Sequence, residues 1–321
     1  MSRNLEALRA RIEGPVFSIM TPFREDESID YPTLEASIER IHAAGGGIFY
    51  VMAYNSRFSQ LDDAEILDLN SFVVGKVKSL DADHICIVGD PIHCSTRRSE
   101  HFARHAAGIG ADLISLICRE KLFSEDQIVG HYQRVADAAP IGILVHEMPF
   151  LSGLNGKPVN WPLTLLDRVA EIPSVIAIKE DAKDDAYTKE AVATVRDRLA
   201  IVISGGGKRQ WMRFADQGVG AWLNGIGVFE PRLAVAFHRA YLAGDDATVR
   251  WIVDEIEVPF FERCVSRFGW HLTIKAAMEA RGVMPRWERM PLAPLPAAQA
   301  AEVAAVIADL PIDAVLDCAP A

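Results

Sequence analysis

The amino-acid sequence predicts an α/β protein, a (β/α)8 barrel with a C-terminal helical extension. Eight short apolar segments alternate with helical patterns as far as about residue 243, and such alternation is typical of parallel strands joined by right-handed crossovers. After residue 244 only helical patterns follow. We therefore expect a barrel over residues 1–243 and helices over residues 244–321 that pack on it as a single structural unit.

The individual elements follow from apolar periodicity and from the residues that start and stop it. Gly45-Gly46-Gly47 stops the first helical pattern, and Ser124-Glu-Asp-Gln opens a later one with the sequence of a capping box. The predicted strands are 15–23, 48–53, 84–89, 113–118, 143–147, 175–179, 201–204 and 220–224. The predicted helices, besides the one that Ser124 opens, are 31–44, 62–77, 96–109, 162–170, 185–199, 246–267, 272–281 and 297–308.

Composition limits the class of function. Of 321 residues, 50% are hydrophobic and 24% charged, as in folded proteins, and the net charge of -11 disfavours nucleic acid and anionic membranes as partners. No apolar run approaches the roughly 18 to 20 residues of a membrane span, and the N-terminus lacks the apolar core of a secretory signal, so a cytoplasmic location is expected. The five cysteines include no CxxC pair, which favours neither a disulfide framework nor a zinc site.

One lysine lies at the end of a predicted strand. Residues 175–178 form an apolar run typical of a strand buried on both faces, and Lys179 takes its last buried position. Because burial disfavours the ammonium form, the pKa of this amine should fall and make a nucleophilic amine available near neutral pH. Schiff-base chemistry on a carbonyl substrate needs such an amine. The alternative is a lysine that extends from the strand end into solvent.

Polar residues also follow the other predicted strands. In (β/α)8 enzymes the reacting groups lie at the carboxyl ends of the strands, and a polar cup over an apolar barrel is the default binding site. The residues at these positions are Thr21, Tyr54, Asn55, Ser56, Arg57, Asp90, His93, Arg119, Glu120, His146, Glu147, Lys179, Glu180, Asp181, 204–208 and Asn224.

Several segments occur in the order and spacing of one known family. They are Thr21-Pro22-Phe23 with Ser28-Ile29-Asp30, Gly110-Ala111-Asp112, residues 127–149, Ile178-Lys179-Glu180, residues 218–231, and Ile274-Lys275-Ala276-Ala277. Together they resemble the dihydrodipicolinate synthase and N-acetylneuraminate lyase family of Schiff-base lyases. The resemblance implies a TIM barrel, a homo-oligomer (tetramer or dimer), that binds pyruvate or another 2-keto acid as an imine on Lys179 without a cofactor.

Other segments depart from that family. Its Gly-Thr-Thr-Gly-Glu loop, which holds the carboxylate of the keto acid, is replaced by residues 53–57, Ala-Tyr-Asn-Ser-Arg. Residues 146–149, His-Glu-Met-Pro, stand in place of Tyr-Asn-Val-Pro, whose tyrosine relays protons. Residues 118–120, Cys-Arg-Glu, replace Pro-Tyr-Tyr, and Leu151 replaces the arginine of the synthases. We therefore do not expect the dihydrodipicolinate synthase reaction.

The likeness to this family and the departures from it together give a hypothesis for the active site. His146 is the predicted proton carrier, because histidine titrates near neutral pH; the alternative is a hydrogen-bonded structural histidine. Glu147 is adjacent to it in the strand, so only one of the two should face the barrel interior. Asn55 and Ser56 are the predicted carboxylate cradle. The full set of predicted substrate-binding residues is Tyr54, Asn55, Ser56, Glu120, Glu147, Gly205, Lys208 and Asn224.

Two further points concern charges. Arg57 and Arg119 are either a clamp for a second carboxylate of the substrate or surface charges. Asp90, His93 and Cys94 match no standard metal spacing, and a Schiff-base lysine needs no metal to polarise the carbonyl, so no metal is expected.

The leading hypothesis is a class I aldolase or lyase that acts on a 2-keto acid through Lys179. The first alternative is a dehydratase of keto-deoxy sugar acids, which would use the same lysine. The second is an inactive relative that binds keto acids; the missing tyrosines favour it, whereas the desolvation cost of an idle buried amine argues against it.

Overall fold

The computed structural model describes residues 4–91, 95–118, 123–148, 160–204 and 207–314. Eight parallel strands form a closed barrel in chain order, with β1 also paired to β8. The predicted (β/α)8 barrel is confirmed. Its strands are β1 (Gly14–Ser18), β2 (Ile48–Val51), β3 (Ile85–Gly89), β4 (Leu113–Leu116), β5 (Gly142–His146), β6 (Val175–Glu180), β7 (Ala200–Ile203) and β8 (Ala221–Asn224).

Helices surround the barrel and follow it. Those up to the end of the barrel are α1 (Leu5–Ala10), α2 (Tyr31–Ala43), α3 (Asp63–Leu80), α4 (Thr96–Gly108), α5 (Glu125–Ala138), α6 (Leu163–Val169), α7 (Asp185–Val195), α8 (Gly207–Trp211) and α9 (Pro231–Leu242). The C-terminal helices are α10 over residues 246–268, α11 (Trp270–Ala280) and α12 (Ala297–Asp309). Within α10, π-helical turns occupy Val253–Glu257 and Phe261–Val265.

Local sequence signals account for several helix ends. The predicted capping box is present at α5, where Gln127 N–H donates to Ser124 Oγ at 3.3 Å and Ser124 N–H donates to Gln127 Oε1 at 2.8 Å. After α2 the chain turns at Gly45 with φ 92°, a conformation that glycine adopts without a steric cost.

Besides shifts of a few residues at other element ends, one strand boundary and one helix differ from the sequence prediction. β1 ends at Ser18 rather than at residue 23, because the following apolar residues, Ile19, Met20 and Phe23, stay buried without extending the strand. The periodic pattern therefore continued past the sheet. Helix α1 was not predicted, since Leu8 is its only buried residue; this leucine packs in the cluster that fills the barrel interior.

The apolar core has two layers, one inside the barrel and one between the strands and the helices. Side chains alternate between the layers along each strand: on β2, Ile48 and Tyr50 face the interior, while Phe49 and Val51 face the helices. The inner layer becomes polar towards the carboxyl ends of the strands, where Ser18, Ser115, His146 and Lys179 are buried.

The C-terminal helices contact the carboxyl-end loops through buried hydrogen bonds. Lys275 Nζ on α11 donates to the carbonyl oxygens of Thr21 and Trp287 at 2.8 Å and 3.1 Å. These bonds hold α11 over the mouth of the barrel. No helix in the described part of the chain is long and apolar enough to cross a membrane.

Candidate active site

Lys179 lies at the carboxyl end of β6 and faces the barrel interior. Its side chain is 1% exposed, so the alternative of a lysine extended into solvent is wrong. Nζ donates a hydrogen bond to Asp181 Oδ2 at 2.8 Å and lies 2.8 Å from His146 Nε2. Asp181 is within reach because side chains two residues apart in an extended chain point the same way. His146 is within reach because β5 pairs with β6 in the register His146↔Lys179.

The second ring nitrogen of His146 continues this row of polar groups. Its Nδ1 lies 3.5 Å from the hydroxyl of Tyr50, and that hydroxyl lies 2.5 Å from Ser115 Oγ. Burial, and then the charge of Lys179, lower the pKa of His146 to about 3, so the imidazole is neutral near pH 7. Burial raises the pKa of Tyr50. Lys179 is therefore joined to neutral hydrogen-bonding groups in the barrel interior.

The electrostatics of Lys179 and Asp181 are set by burial and by their mutual attraction. Burial lowers the pKa of the Lys179 amine, although the charge of Asp181 opposes that shift. Burial by itself would raise the pKa of Asp181, but the charge of Lys179 and the contact with His146 outweigh it and lower this pKa to about 2. Within the described residues, Asp181 Oδ1 has no hydrogen-bond partner.

Lys179 and Asp181 line a cavity of about 440 Å³, which is the size of a small-molecule site. The strand-end loops supply its polar part, including Ser204 and Lys183. One wall comes from the C-terminal helices and is largely apolar and aromatic: Phe261, Val265, Trp270 and His271. The cavity therefore has a charged region around the amine and an apolar region beside α10 and α11.

Two predicted substrate-binding residues, Tyr54 and Asn55, line this cavity. Asn55 Nδ2 donates to Ser18 Oγ at 3.1 Å, which fixes the amide at the end of β1. The Tyr54 ring packs edge-on against His271, with 4.3 Å between ring centroids. The loop after β2 therefore presents one amide and one aromatic side chain to the cavity.

Ser56 and Glu147 are among the predicted substrate-binding residues that do not reach the described cavity lining. Ser56 Oγ donates to the carbonyl oxygen of Ile19 at 2.5 Å, and Ser56 N–H donates to Met52 O at 2.8 Å, so this residue is no carboxylate cradle. Glu147 accepts a hydrogen bond from Trp161 N–H at 3.1 Å. His146 and Glu147 thus point to opposite sides of the sheet, as strand alternation requires.

The prediction that Lys208 and Asn224 contact the substrate is wrong, since neither belongs to the cavity lining that the structure describes. Lys208 Nζ is buried and donates to Glu257 Oε2 at 3.0 Å. Asn224 Oδ1 accepts from Gly227 N–H at 3.2 Å and thereby fixes the turn after β8. Both side chains are held inside the protein by its own groups. The predicted residues Glu120 and Gly205 lie outside the described residues.

Arg57 is neither a surface charge nor a clamp for substrate. Its side chain is 3% exposed and forms two hydrogen bonds with Glu288, from Nε to Oε2 at 3.0 Å and from Nη2 to Oε1 at 2.6 Å. The residue has a positive φ of 65°. This bidentate pair joins the loop after β2 to the segment after α11. Arg119 lies outside the described residues.

Of the three residues considered as metal ligands in the sequence, the structure describes only Asp90. Asp90 Oδ2 accepts from Ser99 Oγ at 2.6 Å, and His93 and Cys94 lie outside the described residues. Across the ranges that the structure describes, no group of three or more histidine, cysteine, aspartate or glutamate residues is placed to hold a metal ion.

Asp181 was placed among the polar strand-end residues without a catalytic or binding role, and Tyr50 and Ser115 were not predicted as site residues. The signal for Asp181 was its position two residues after Lys179, which puts both on one face. Tyr50 and Ser115 are polar residues inside apolar strands, and such positions indicate a buried polar contact. No local signal identified the wall from α10 and α11, because it depends on how those helices pack over the barrel.

A closed barrel with a buried lysine at the cavity is the architecture expected of a class I aldolase. The model of the dihydrodipicolinate synthetase family matches residues 11–310. The chain belongs to this family, and it is a lyase of the class I aldolase type. Enzymes of the family act on small-molecule keto acids.

Curated relatives cover most of the chain at moderate identity. The chain is 27% identical over 308 residues to the protein named probable 5-dehydro-4-deoxyglucarate dehydratase 2 of Streptomyces avermitilis, covering 94% of this chain and 89% of that protein. It is 27% identical over 282 residues to the 4-hydroxy-tetrahydrodipicolinate synthase of Haloarcula marismortui, covering 86% of this chain and 87% of that protein.

Solved structures share the fold. YagE from E. coli K12, a prophage protein of the dihydrodipicolinic acid synthase family in complex with pyruvate, superposes with a TM-score of 0.81 at 20% identity, covering 93% of this chain and 98% of that one. Dihydrodipicolinate synthase from Oceanobacillus iheyensis superposes with a TM-score of 0.82 at 17% identity, covering 95% and 99%.

Proposed function

We propose that the protein is a Schiff-base lyase in which the amine of Lys179 forms an imine with the carbonyl group of a 2-keto acid such as pyruvate. The observation that carries this proposal is the placement of one buried amine on a cavity of about 440 Å³. Burial lowers the pKa of that amine, and the neutral form is the nucleophile that attacks a carbonyl carbon.

His146 is proposed to act on the nitrogen atom of Lys179, Nζ. Its Nε2 lies 2.8 Å from Lys179 Nζ, and the low pKa of His146 keeps it uncharged and able to accept a hydrogen bond from the ammonium group. A neutral acceptor orients Nζ and provides a path for the proton that the amine must lose before attack. The contact with Tyr50 continues this path into the barrel interior.

The carboxylate of the keto acid is proposed to bind between Asn55 and Lys183. Both line the cavity together with Lys179, and an amide donor with a cation matches the hydrogen-bonding and charge of a carboxylate. Because Ser56 faces away from the cavity, this site differs from the hydroxyl cradle that the dihydrodipicolinate synthase resemblance implies. We therefore propose that the chain does not catalyse the synthase reaction.

A dehydratase of keto-deoxy sugar acids is the second candidate. It is supported by the relative in Streptomyces avermitilis whose name describes such an activity, and it would use the same imine on Lys179. The two candidates differ in the bond that breaks, carbon–carbon in the aldolase and carbon–oxygen in the dehydratase.

We also propose that the protein is a homo-oligomer, a tetramer or a dimer. Light scattering of the purified protein would measure its mass in solution.

Reduction with borohydride tests the imine. The protein is incubated with pyruvate, treated with sodium borohydride, digested and analysed by mass spectrometry. We expect a covalent increment on the peptide that contains Lys179, none on the peptides that contain Lys208 or Lys275, and none in a Lys179→Met variant. No increment with pyruvate or with a panel of 2-keto acids would reject the enzyme in favour of an inactive relative that binds keto acids without an imine.

Substrate panels then separate the two candidates. Candidate 4-hydroxy-2-keto acids are supplied to the protein, and the products are identified by NMR. Release of pyruvate with an aldehyde identifies the aldolase, whereas loss of water with an intact carbon chain identifies the dehydratase. The Lys179→Met variant is the control in both assays, because each reaction requires the imine.

A further inference from the structure

We propose that Asp181 is the catalytic acid–base for the carbon chain of the substrate, and that its carboxylate accepts a hydrogen bond from the C4 hydroxyl group of a bound 4-hydroxy-2-keto acid. This inference rests on the imine proposed above and adds the group that moves protons at carbon and oxygen. His146 acts on Nζ of Lys179, whereas Asp181 acts on the C4 hydroxyl group and on C3 of the substrate.

The geometry of Asp181 supports this role. Its Oδ2 lies 2.8 Å from Lys179 Nζ, and the residue lines the cavity although it is only 4% exposed. Its Oδ1 is buried and has no hydrogen-bond partner in the part of the chain that the structure describes. An unpaired buried oxygen carries a desolvation cost, and a hydroxyl donor on a bound substrate would remove that cost. The carboxylate thus bonds the amine with one oxygen, and its other oxygen is left without a partner among the described residues, in a residue that lines the cavity.

The neighbouring groups are less suited to this role. Both ring nitrogens of His146 are already in contact with protein groups, Nε2 with Lys179 and Nδ1 with Tyr50. His146 is also absent from the described cavity lining. Glu180 points to the other side of β6, where it accepts hydrogen bonds from Ala182 N–H at 2.8 Å and Thr188 Oγ1 at 3.0 Å. Among these three adjacent groups, Asp181 is the one that faces the cavity.

The cleavage step balances without another reactant. The carboxylate of Asp181 takes the proton from the C4 hydroxyl, the C4–O bond becomes a carbonyl, and the C3–C4 bond breaks. Its electron pair forms the C2=C3 bond of an enamine and neutralises the iminium nitrogen on Lys179. Protonated Asp181 then returns its proton to C3, which restores an iminium of pyruvate. Water hydrolyses this iminium to pyruvate and the free lysine, and the aldehyde, whose carbonyl carbon was C4, leaves the cavity.

The charges change in the direction that this step requires. Before cleavage an iminium cation lies beside an aspartate anion; afterwards a neutral enamine lies beside a neutral carboxylic acid. The charge of Lys179 is what holds the pKa of Asp181 down, and burial acts to raise it. Loss of the positive charge therefore makes Asp181 a stronger base at the moment when it holds the proton.

Exchange of the C3 protons of pyruvate with D₂O tests the proposal on the intact protein. Exchange is measured by NMR for the wild type, Asp181→Asn and Glu180→Gln, and imine formation is measured in the same samples by borohydride trapping. Rates are expressed per trapped imine, so that a change in imine formation does not count as a change in proton transfer. Glu180→Gln is the matched control, because it removes an adjacent buried carboxylate that faces away from the cavity.

We expect Asp181→Asn to trap pyruvate and to exchange its C3 protons about 10²- to 10⁴-fold more slowly, the range of general acid–base catalysis, while Glu180→Gln exchanges like the wild type. Exchange by Asp181→Asn within a few-fold of the wild type would overturn the proposal, and so would a failure of Asp181→Asn to trap pyruvate at any concentration, because Asp181 would then act at nitrogen. Absence of trapping in the wild type would instead reject the proposed function and this inference with it.

Discussion

Two buried lysine–carboxylate pairs, Lys179–Asp181 and Lys208–Glu257, differ in how fully the carboxylate is bonded. The distances from the amine nitrogen to the carboxylate oxygen are similar in the two pairs, 2.8 Å and 3.0 Å, and all four side chains are at most 6% exposed. Glu257 uses both oxygens: Oε2 accepts from the Lys208 amine, and Oε1 accepts from the N–H groups of Lys208 and Arg209 at 2.9 Å and 3.4 Å. Asp181 has an oxygen that bonds to none of the described residues.

This difference separates a structural pair from a candidate catalytic one. Lys208 and Glu257 join α8 to α10 and leave no acceptor for a ligand, whereas the Lys179 pair lines a cavity and keeps one. A buried ion pair by itself therefore does not indicate catalysis. The informative features are an acceptor without a protein partner, a cavity beside it, and a neutral histidine on the amine.

Replacing the two lysines should give the largest contrast. We expect Lys179→Met to form no imine and to lose more than about 10³-fold in turnover, as removal of a covalent nucleophile does. The double variant Lys208→Met/Glu257→Gln should keep turnover per folded molecule within a few-fold of the wild type. Steady-state kinetics on protein checked by circular dichroism would measure both. A comparable loss in the double variant would place Lys208 in the catalytic machinery.

Breaking only one partner of the structural pair should act on stability. Glu257→Gln leaves the Lys208 amine buried without its countercharge, and we expect a loss of about 3 to 5 kcal/mol in the free energy of unfolding. The double variant Lys208→Met/Glu257→Gln should recover much of this loss, because no charge then remains buried. Urea denaturation would measure both values. Equal stability of the single and the double variant would contradict the assignment.

A third buried lysine, Lys275, sharpens the comparison because, among the described residues, its amine donates to carbonyl oxygens and to no carboxylate. Burial lowers its pKa to about 8 from 10.5. Between these values the unfolded chain binds more protons than the folded one, so the protein should gain stability as pH rises from about 8 to about 10.5. The gain is about 3 kcal/mol for a shift of this size.

The control for Lys275 is Lys275→Met, which has no such titration. The pH dependence of the unfolding free energy should be steeper in the wild type than in this variant over that window, whatever constant cost the lost hydrogen bonds add. Parallel pH profiles for the two proteins would show that the Lys275 pKa is not shifted by folding.

The smallest expected effect comes from the interior end of the polar row. Tyr50→Phe removes the hydroxyl that lies 3.5 Å from His146 Nδ1 and 2.5 Å from Ser115 Oγ. Loss of a hydrogen bond of this kind is worth about 1 kcal/mol, so imine formation should slow by up to about tenfold. Stopped-flow trapping of pyruvate would measure it. A loss as large as that of Lys179→Met would make the phenol part of the essential chemistry.

Much of the fold followed from the sequence. Eight apolar segments separated by helical patterns predicted the closed barrel, because the periods of strand and helix are local properties that a sequence displays directly. The strand ends were less certain: residues 19–23 continued the apolar pattern of β1 after the strand had ended. Burial, rather than strand pairing, accounts for that pattern.

The candidate site followed only in part. The sequence identified Lys179, His146, Tyr54 and Asn55, and the structure brings all four to one end of the barrel. It misplaced Ser56, which faces the carbonyl of Ile19 instead of the cavity. A position in a loop shows that a residue is near the strand ends, but the direction of its side chain depends on the path of the backbone and on its hydrogen bonds.

The sequence by itself determined the barrel and the buried amine at the end of β6. Strand alternation puts Asp181 on the same face as that amine, although Asp181 was not predicted as a catalytic or substrate-binding residue. Only the tertiary structure decided which buried lysine is paired inside the protein and which faces a cavity, because Glu257 reaches Lys208 across 49 positions of the chain. It also decided the apolar wall from α10 and α11. Contacts of this kind arise from packing between distant elements, and local periodicity carries no record of them.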